Sequence, residues 1–284
     1  MIIDAHLHFS DIKSFKDTAK EISFLDYSYK GILNEYKNAG VTAGIVMGVQ
    51  ETISEGFPDY KASTPMMADL EPELPDLLYL SPGINPFSIQ KNPGEIKVLE
   101  DLIKTDKKIV GLKIYAGYYP FYVYDKVYEP VYEIAAKYDL PITIHTGDTY
   151  SQRGFLKYSH PLAVDELAVT HKNNNFIIAH YGDPWVMDCA EILRKNSNVY
   201  ADLSGFLVGD EKHIKGYSKT KLFVEHFKRA FVYSESYSKM LFGTDWPLAP
   251  IKSYIKFIEK LIPQKFHEQV FYTNAKNLFT RLNV

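Results

Sequence analysis

The chain has one cysteine, Cys189, so no internal disulfide can form, and a reducing compartment is expected. No apolar stretch approaches the roughly 18 uninterrupted residues of a membrane-spanning helix, which argues against a spanning segment. Neither sign of charge predominates. Thirty-two basic residues against 35 acidic ones leave a net charge of −3 without a basic stripe, so nucleic acid is not an expected partner. Residues 1–6 carry neither a basic leader nor an apolar core, and a cytoplasmic protein is expected. A glycine-rich phosphate turn after an early strand is also missing, which disfavours an open doubly wound sheet.

What is present is an ordinary globular composition, 46% hydrophobic and 24% charged. Eight short apolar runs recur, at residues 2–5, 43–49, 77–84, 109–114, 141–145, 176–180, 199–203 and 240–244. Amphipathic stretches lie between most of them, for example at 95–103, 125–137, 163–172, 185–195, 221–231 and 251–261. Continuous apolar runs read as parallel strands buried on both faces. Eight of them alternating with helices predict a (β/α)8 TIM barrel, with residues 1–284 as a single domain.

Two segments exceed what a barrel needs. Residues 50–76 carry Pro58, Pro65, Pro72 and Pro75, and residues 205–220 follow the seventh run. Each leaves the end of a strand where barrel enzymes build their sites, so a lid or substrate contact is expected there, with a plain surface loop as the alternative. The tail, residues 271–284, is expected to pack as a closing helix.

Ionisable residues gather at the ends of the apolar runs. Strand alternation puts Asp4, His6 and His8 on one face, with the two imidazoles about 6.5 Å apart along the strand. The fifth and sixth runs end in His145 and His180, the eighth leads into Asp245, and the fourth contains Lys113. The other three runs contribute nothing chargeable in this reading. Converging ionisable groups are costly to bury unless they bind a metal or one another, so a metal site is expected.

In this order, Asp4-Ala5-His6-Leu7-His8, Lys113, His145, His180 and Asp245 resemble the amidohydrolase superfamily. The segments Ile144-His145-Thr146-Gly147, Ile178-Ala179-His180-Tyr181-Gly182 and Phe242-Gly243-Thr244-Asp245-Trp246-Pro247 resemble its amidohydrolase-related branch, which includes aminocarboxymuconate-semialdehyde decarboxylase and pyrone-dicarboxylate lactonase. The resemblance implies that His6, His8, His145 and Asp245 hold a divalent metal, with zinc expected, one ion bound and a second left open. It also implies a hydrolase of a small amide, lactone or related carbonyl, in which metal-activated water gives its proton to Asp245. His180 would sit beside the ion as an outer acid/base or as a second ligand, and with Lys113 it completes the catalytic set. Lys113 keeps three readings: a carboxylated lysine bridging two ions, a substrate-facing amine, or a structural ion pair. Non-oxidative decarboxylation of a small carboxylic acid is the alternative activity on the same scaffold, and a metallophosphoesterase is a more distant one.

The remaining candidates are weaker. Tyr115 opens an aromatic stretch that could wall a pocket, Arg153 could clamp a substrate carboxylate, and Trp246 could shape the pocket or fill the rim. Asp4 could orient a ligand or belong to the barrel's internal hydrogen bonding. His160, His171, His213, His226 and His267 read as solvated, and Cys189 as inert. A small-molecule substrate is the expected partner, and homo-oligomerisation is left open.

Overall fold

The computed structural model describes residues 1–52, 59–70 and 74–284. Among these, nine strand segments pair in parallel: β1 (Ile2–Leu7), β2 (Val41–Met47), β3 (Leu78–Ser81), β4 (Gly83–Ile84), β5 (Leu112–Ile114), β6 (Ile142–Ile144), β7 (Phe176–Ile178), β8 (Val199–Asp202) and β9 (Met240–Leu241). β3 and β4 are one barrel strand interrupted at Pro82, which has no N–H to offer the ladder. Both halves keep the same neighbour. Val110 N donates to Leu80 O (3.0 Å), and Lys113 N donates to Pro82 O (2.9 Å).

The first and last strands close the ring. Ala5 N donates to Phe242 O (2.8 Å), Thr244 N to His6 O (3.1 Å) and His8 N to Trp246 O (2.8 Å). The architecture is the eight-stranded α/β TIM barrel.

Amphipathic helices cover the outside. Ile251–Leu261 buries Tyr254, Ile255, Phe257, Ile258 and Leu261 along one side, and Val186–Lys195 buries Cys189, Ala190, Ile192 and Leu193. Two helices fall between β1 and β2, Lys13–Glu21 and Tyr29–Ala39, the latter capped by Ser28 and ended by Gly40 at φ 74°. The tail departs from the expected closing helix. A π-helical turn, Gln269–Thr273, runs into a short α-helix, Asn274–Leu278, and the chain then turns irregular, with Phe279 and Leu282 packed against Ile3, Ala43 and Val110.

β1 does not keep strict alternation. Asp4 pairs with Gly44 but Leu7 pairs with Val46, so one extra residue is accommodated between them, as in a β-bulge. Asp4 therefore turns towards the helix Tyr29–Ala39, while His6 and His8 enter the mouth of the barrel. The expectation that all three share a face fails here.

Both long segments leave the strand ends as expected, with different outcomes. Pro58 and Pro72 lie outside the described residues. Met66 exchanges backbone hydrogen bonds with Gly83, and Tyr119 Oη donates to Asp59 O (3.1 Å), which ties this loop to the barrel rim. After β8, residues 205–208 border the mouth, and the remainder forms the helix Glu211–Tyr217. No helix among the described residues is long and apolar enough to cross a membrane.

Candidate metal centre

Each side chain at the mouth arrives by a local device. The bulge in β1 delivers His6 and His8. Lys113 comes from β5, and His145 follows β6 directly. His180 and Asp245 sit just past their strands with left-handed backbones, φ 58° and 56°. Such conformations cost about 1–3 kcal/mol each for non-glycine residues and concentrate at functional sites. Both are pinned by hydrogen bonds: His180 N donates to Asp202 Oδ1 (3.0 Å) and Asp245 N to His6 O (2.8 Å). Gly205, at φ 71°, passes so close that a Cβ there would lie 2.6 Å from His180 Nδ1, so only glycine fits.

Asp245 Oδ1 lies 3.1 Å from His8 Nε2 and 3.6 Å from His6 Nε2, and Oδ2 lies 3.9 Å from His180 Nδ1. Lys113 Nζ is 3.4 Å from His6 Nε2. Burial draws the Lys113 amine down to about 8 and His6 down to about 4. His145 is also pushed well below its usual range by burial and by the neighbouring His180. Burial alone would raise the carboxyl of Asp245, yet His8, His180 and His6 around it hold it below the usual carboxylate range.

The donor set fits a divalent cation. The ligand atoms of His6, His8 and Asp245 lie within 4.8 Å of one another, all three residues buried. Asp245 Oδ1 is buried and makes no hydrogen bond despite its two imidazole neighbours, so these atoms face a common point more than they face each other. Two imidazoles and a carboxylate are a donor set that zinc and manganese both accept. Outer contacts support this. His6 Nδ1 lies 2.8 Å from Asp202 Oδ2, the type of carboxylate–histidine contact that orients metal-binding imidazoles.

Residues 95–281, more than half of the chain, match the sequence profile of the family described as Amidohydrolase. The chain belongs to the amidohydrolase family. A search of curated proteins finds no match. Among solved structures, an uncharacterised TIM-barrel protein from Bordetella bronchiseptica superposes with a TM-score of 0.70 at 18% identity, covering 99% of this chain and 98% of that one. A probable 2-pyrone-4,6-dicarboxylic acid hydrolase from Acinetobacter baumannii, with citric acid bound, gives 0.63 at 15% identity, covering 98% and 99%. A 5-carboxyvanillate decarboxylase from Novosphingobium aromaticivorans, complexed with manganese and 4-hydroxy-3-methoxy-5-nitrobenzoic acid, gives 0.65 at 12% identity, covering 99% and 96%. Solved structures of this fold therefore include both a hydrolase and a decarboxylase, and a divalent metal is found in one of these three.

Within this amidohydrolase barrel, the other expected residues scatter. His145 borders the same cavity, its ring 5.1 Å from that of His180, but it is not among the donor atoms gathered around Asp245. Its Nε2 is 3.0 Å from Asp148 O; an imidazole donating there presents Nδ1 as its lone-pair nitrogen. Tyr115 lines the cavity, with its hydroxyl donating to Gly48 O (2.8 Å). Trp246 does not line it: its ring is fully buried against Phe9 and Tyr27, so it backs the site from behind. Arg153 lies exposed in the loop after β6, outside the residues that line the cavity. Asp4 belongs to the internal hydrogen bonding, accepting from Thr244 N and Oγ1 and from Tyr36 Oη, and burial raises its carboxyl to about 7.

The expectation that three runs carry nothing chargeable is corrected by Asp202. It ends β8 at 1% exposure and touches both His6 and His180. The sequence does carry a signal, an acidic residue at the C-terminal end of the run 199–203, but a single aspartate inside an otherwise apolar run has no local pattern to set it apart. Tyr118, within the aromatic stretch opened by Tyr115, lines the cavity as that stretch suggested, whereas Phe15 and Tyr150 reach it from a helix and a loop without any motif to announce them. Two of the histidines read as solvated are paired instead: His226 Nε2 lies 2.8 Å from Asp183 Oδ1, and His171 Nε2 lies 3.1 Å from Glu129 Oε2.

Proposed function

We propose that the chain is a metal-dependent hydrolase of a small cyclic or aryl carbonyl compound, a lactone, ester or amide. The observation that carries this reading is the buried, unbonded Oδ1 of Asp245 beside His6 Nε2 and His8 Nε2 in an open cavity. His6, His8 and Asp245 would hold the ion, and His145, bordering the same cavity with a free lone pair on Nδ1, is the candidate further donor; zinc is the expected metal, and manganese suits the same donors. When bound, the ion would supply Lewis acidity that lowers the pKa of coordinated water and polarises a carbonyl.

The protein's own groups would do the rest. Asp245, held in its ionised form, would take the proton of the attacking water, and that same proton would pass to the leaving group, either from Asp245 itself or by way of Nε2 of His180. The Lys113 amine would counter negative charge developing on the carbonyl oxygen or neutralise a substrate carboxylate. The cavity of about 290 Å³ is walled by Phe15, Tyr115, Tyr118, Tyr150 and Phe206, which favours a flat, unsaturated substrate over an extended chain. Among the described residues that line it there is one lysine and no arginine, which suits a substrate with a single anionic group.

Decarboxylation of an aromatic acid is the second reading. It is favoured by Lys113, a buried cation that could neutralise a carboxylate against aromatic walls. Zinc- or manganese-loaded protein, incubated with aryl lactones, esters and hydroxybenzoic acids in ¹⁸O-water, separates the two. Hydrolysis places ¹⁸O in the product acid, whereas carbon dioxide release without incorporation would establish the lyase.

A further inference from the structure

We propose that Asp202, directly and through Ser204, fixes the tautomers of His6 and His180, so that each carries its proton on Nδ1 and presents the lone pair of Nε2. The inference rests on the reading of His6 as a ligand and His180 as the proton-transfer group, and it identifies what prepares both.

The argument is one of proton counting. Asp202 Oδ2 lies 2.8 Å from His6 Nδ1, and an ionised carboxylate only accepts, so that contact requires the proton on Nδ1. The opposite oxygen, Oδ1, accepts from His180 N (3.0 Å), from Ser204 N (3.1 Å) and from Ser204 Oγ (2.5 Å). Two oxygens cannot approach to 2.5 Å without a proton between them, so the single hydroxyl proton of Ser204 is committed to Asp202. Ser204 Oγ lies 2.9 Å from His180 Nδ1, and with its own proton spent it can only accept there. His180 must therefore also be protonated on Nδ1.

The chain of donors runs from His180 through Ser204 to Asp202, with His6 entering from the other side. Lys113 Nζ, which can only donate, lies 3.4 Å from His6 Nε2, so Nε2 is the accepting nitrogen and the proton of His6 sits on Nδ1. Asp202 is 1% exposed, so these contacts are shielded from bulk solvent. The alternative is a second metal ion, because donor atoms of His6, His180 and Asp202 lie within 4.8 Å of one another. The Asp202 carboxylate is already engaged by one imidazole, one hydroxyl and two backbone amides, which leaves little lone-pair capacity for an ion.

The test begins on metal-free, ¹⁵N-labelled protein, where long-range correlations report the tautomer of each imidazole. The expected result is the Nδ1–H form for His6 and His180, and a proton on Nε2 of either ring overturns the proposal. Zinc affinity by chelator competition then separates the two arms. Ser204→Ala should release the tautomer of His180 alone and leave zinc affinity unchanged. Asp202→Asn should disturb both rings and weaken zinc by about 10–100-fold. Retention of wild-type tautomers and affinity in Asp202→Asn defeats the proposal, as does a second equivalent of zinc bound by the wild type and lost in that variant. Should Asp202→Asn fail to fold, the wild-type tautomers and Ser204→Ala still decide. Nδ1–H tautomers in a protein that takes up no zinc would sink the metal reading and leave this one standing.

Discussion

Asp245 carries the chemistry at the scale of single residues because its environment withholds what a buried carboxylate normally receives. Its Oδ1 has imidazoles on two sides and no hydrogen bond, an arrangement held by the surrounding strands at some cost in stability. Asp245→Asn should therefore lower turnover by about 10²–10⁴-fold, the usual worth of a positioned general base, while the melting temperature of the metal-free protein holds or rises. Steady-state rates and calorimetry on the same preparation check both halves. Asp4 is the opposite case. Its oxygens accept from Thr244 N (2.9 Å), Thr244 Oγ1 (2.6 Å) and Tyr36 Oη (3.1 Å). Asp4→Ala leaves buried donors unpaired at about 1–3 kcal/mol each, so urea denaturation should show a clear loss of stability. Because Thr244 precedes Asp245, activity should fall in the folded fraction as well.

Elements position the site mostly through their ends. The helix Ile251–Leu261 sends Tyr254 inward, where its hydroxyl donates to Leu203 O (2.7 Å) and accepts from Phe206 N (3.1 Å). One side chain thus ties the helix to the stretch after β8 that borders the cavity. Tyr254→Phe removes both bonds without changing volume. It should cost about 1–3 kcal/mol and raise KM more than it lowers kcat, since Phe206 contacts substrate space and touches no reacting atom. The same stretch passes over His180 at Gly205, so Gly205→Ala should impair turnover through displacement of that imidazole, visible as a shifted His180 resonance in the NMR spectrum.

At the scale of the whole molecule, the mouth is a ring of groups drawn from β1, β5, β8 and the ends of β6, β7 and β9, so an ion bound there stitches distant parts of the chain together. An ion that binds only the folded state stabilises it by about 2.7 kcal/mol at a hundredfold excess over Kd. Chelator should accordingly lower the melting temperature by several degrees, and added zinc or manganese should restore it. An unchanged transition across that titration would contradict a bound ion at this mouth.

Much of the architecture was legible because a buried parallel strand has to be apolar on both faces, which is a local property. The runs at 43–49 and 240–244 mark β2 and β9 although they overrun them, since periodicity says where a strand lies better than where its ladder ends. His6, His8, His145, His180 and Asp245 could be placed at one mouth because each sits at the end of such a run. Lys113 was found in the same way, on β5. The sequence alone determined this much: a barrel, its polarity, and most of the ionisable groups at its open end. The tertiary structure decided which of them meet. A bulge in β1, whose register depends on strands far away in sequence, turned Asp4 away from the histidines. Trp246 became packing and Arg153 stayed outside because side-chain burial depends on neighbours that no local pattern encodes. Asp202 acquired its place only when β8 came to lie beside β7 and, with β9 between them, close to β1, since a contact between residues 196 positions apart is made by the closure of the ring and not by the spacing of either residue.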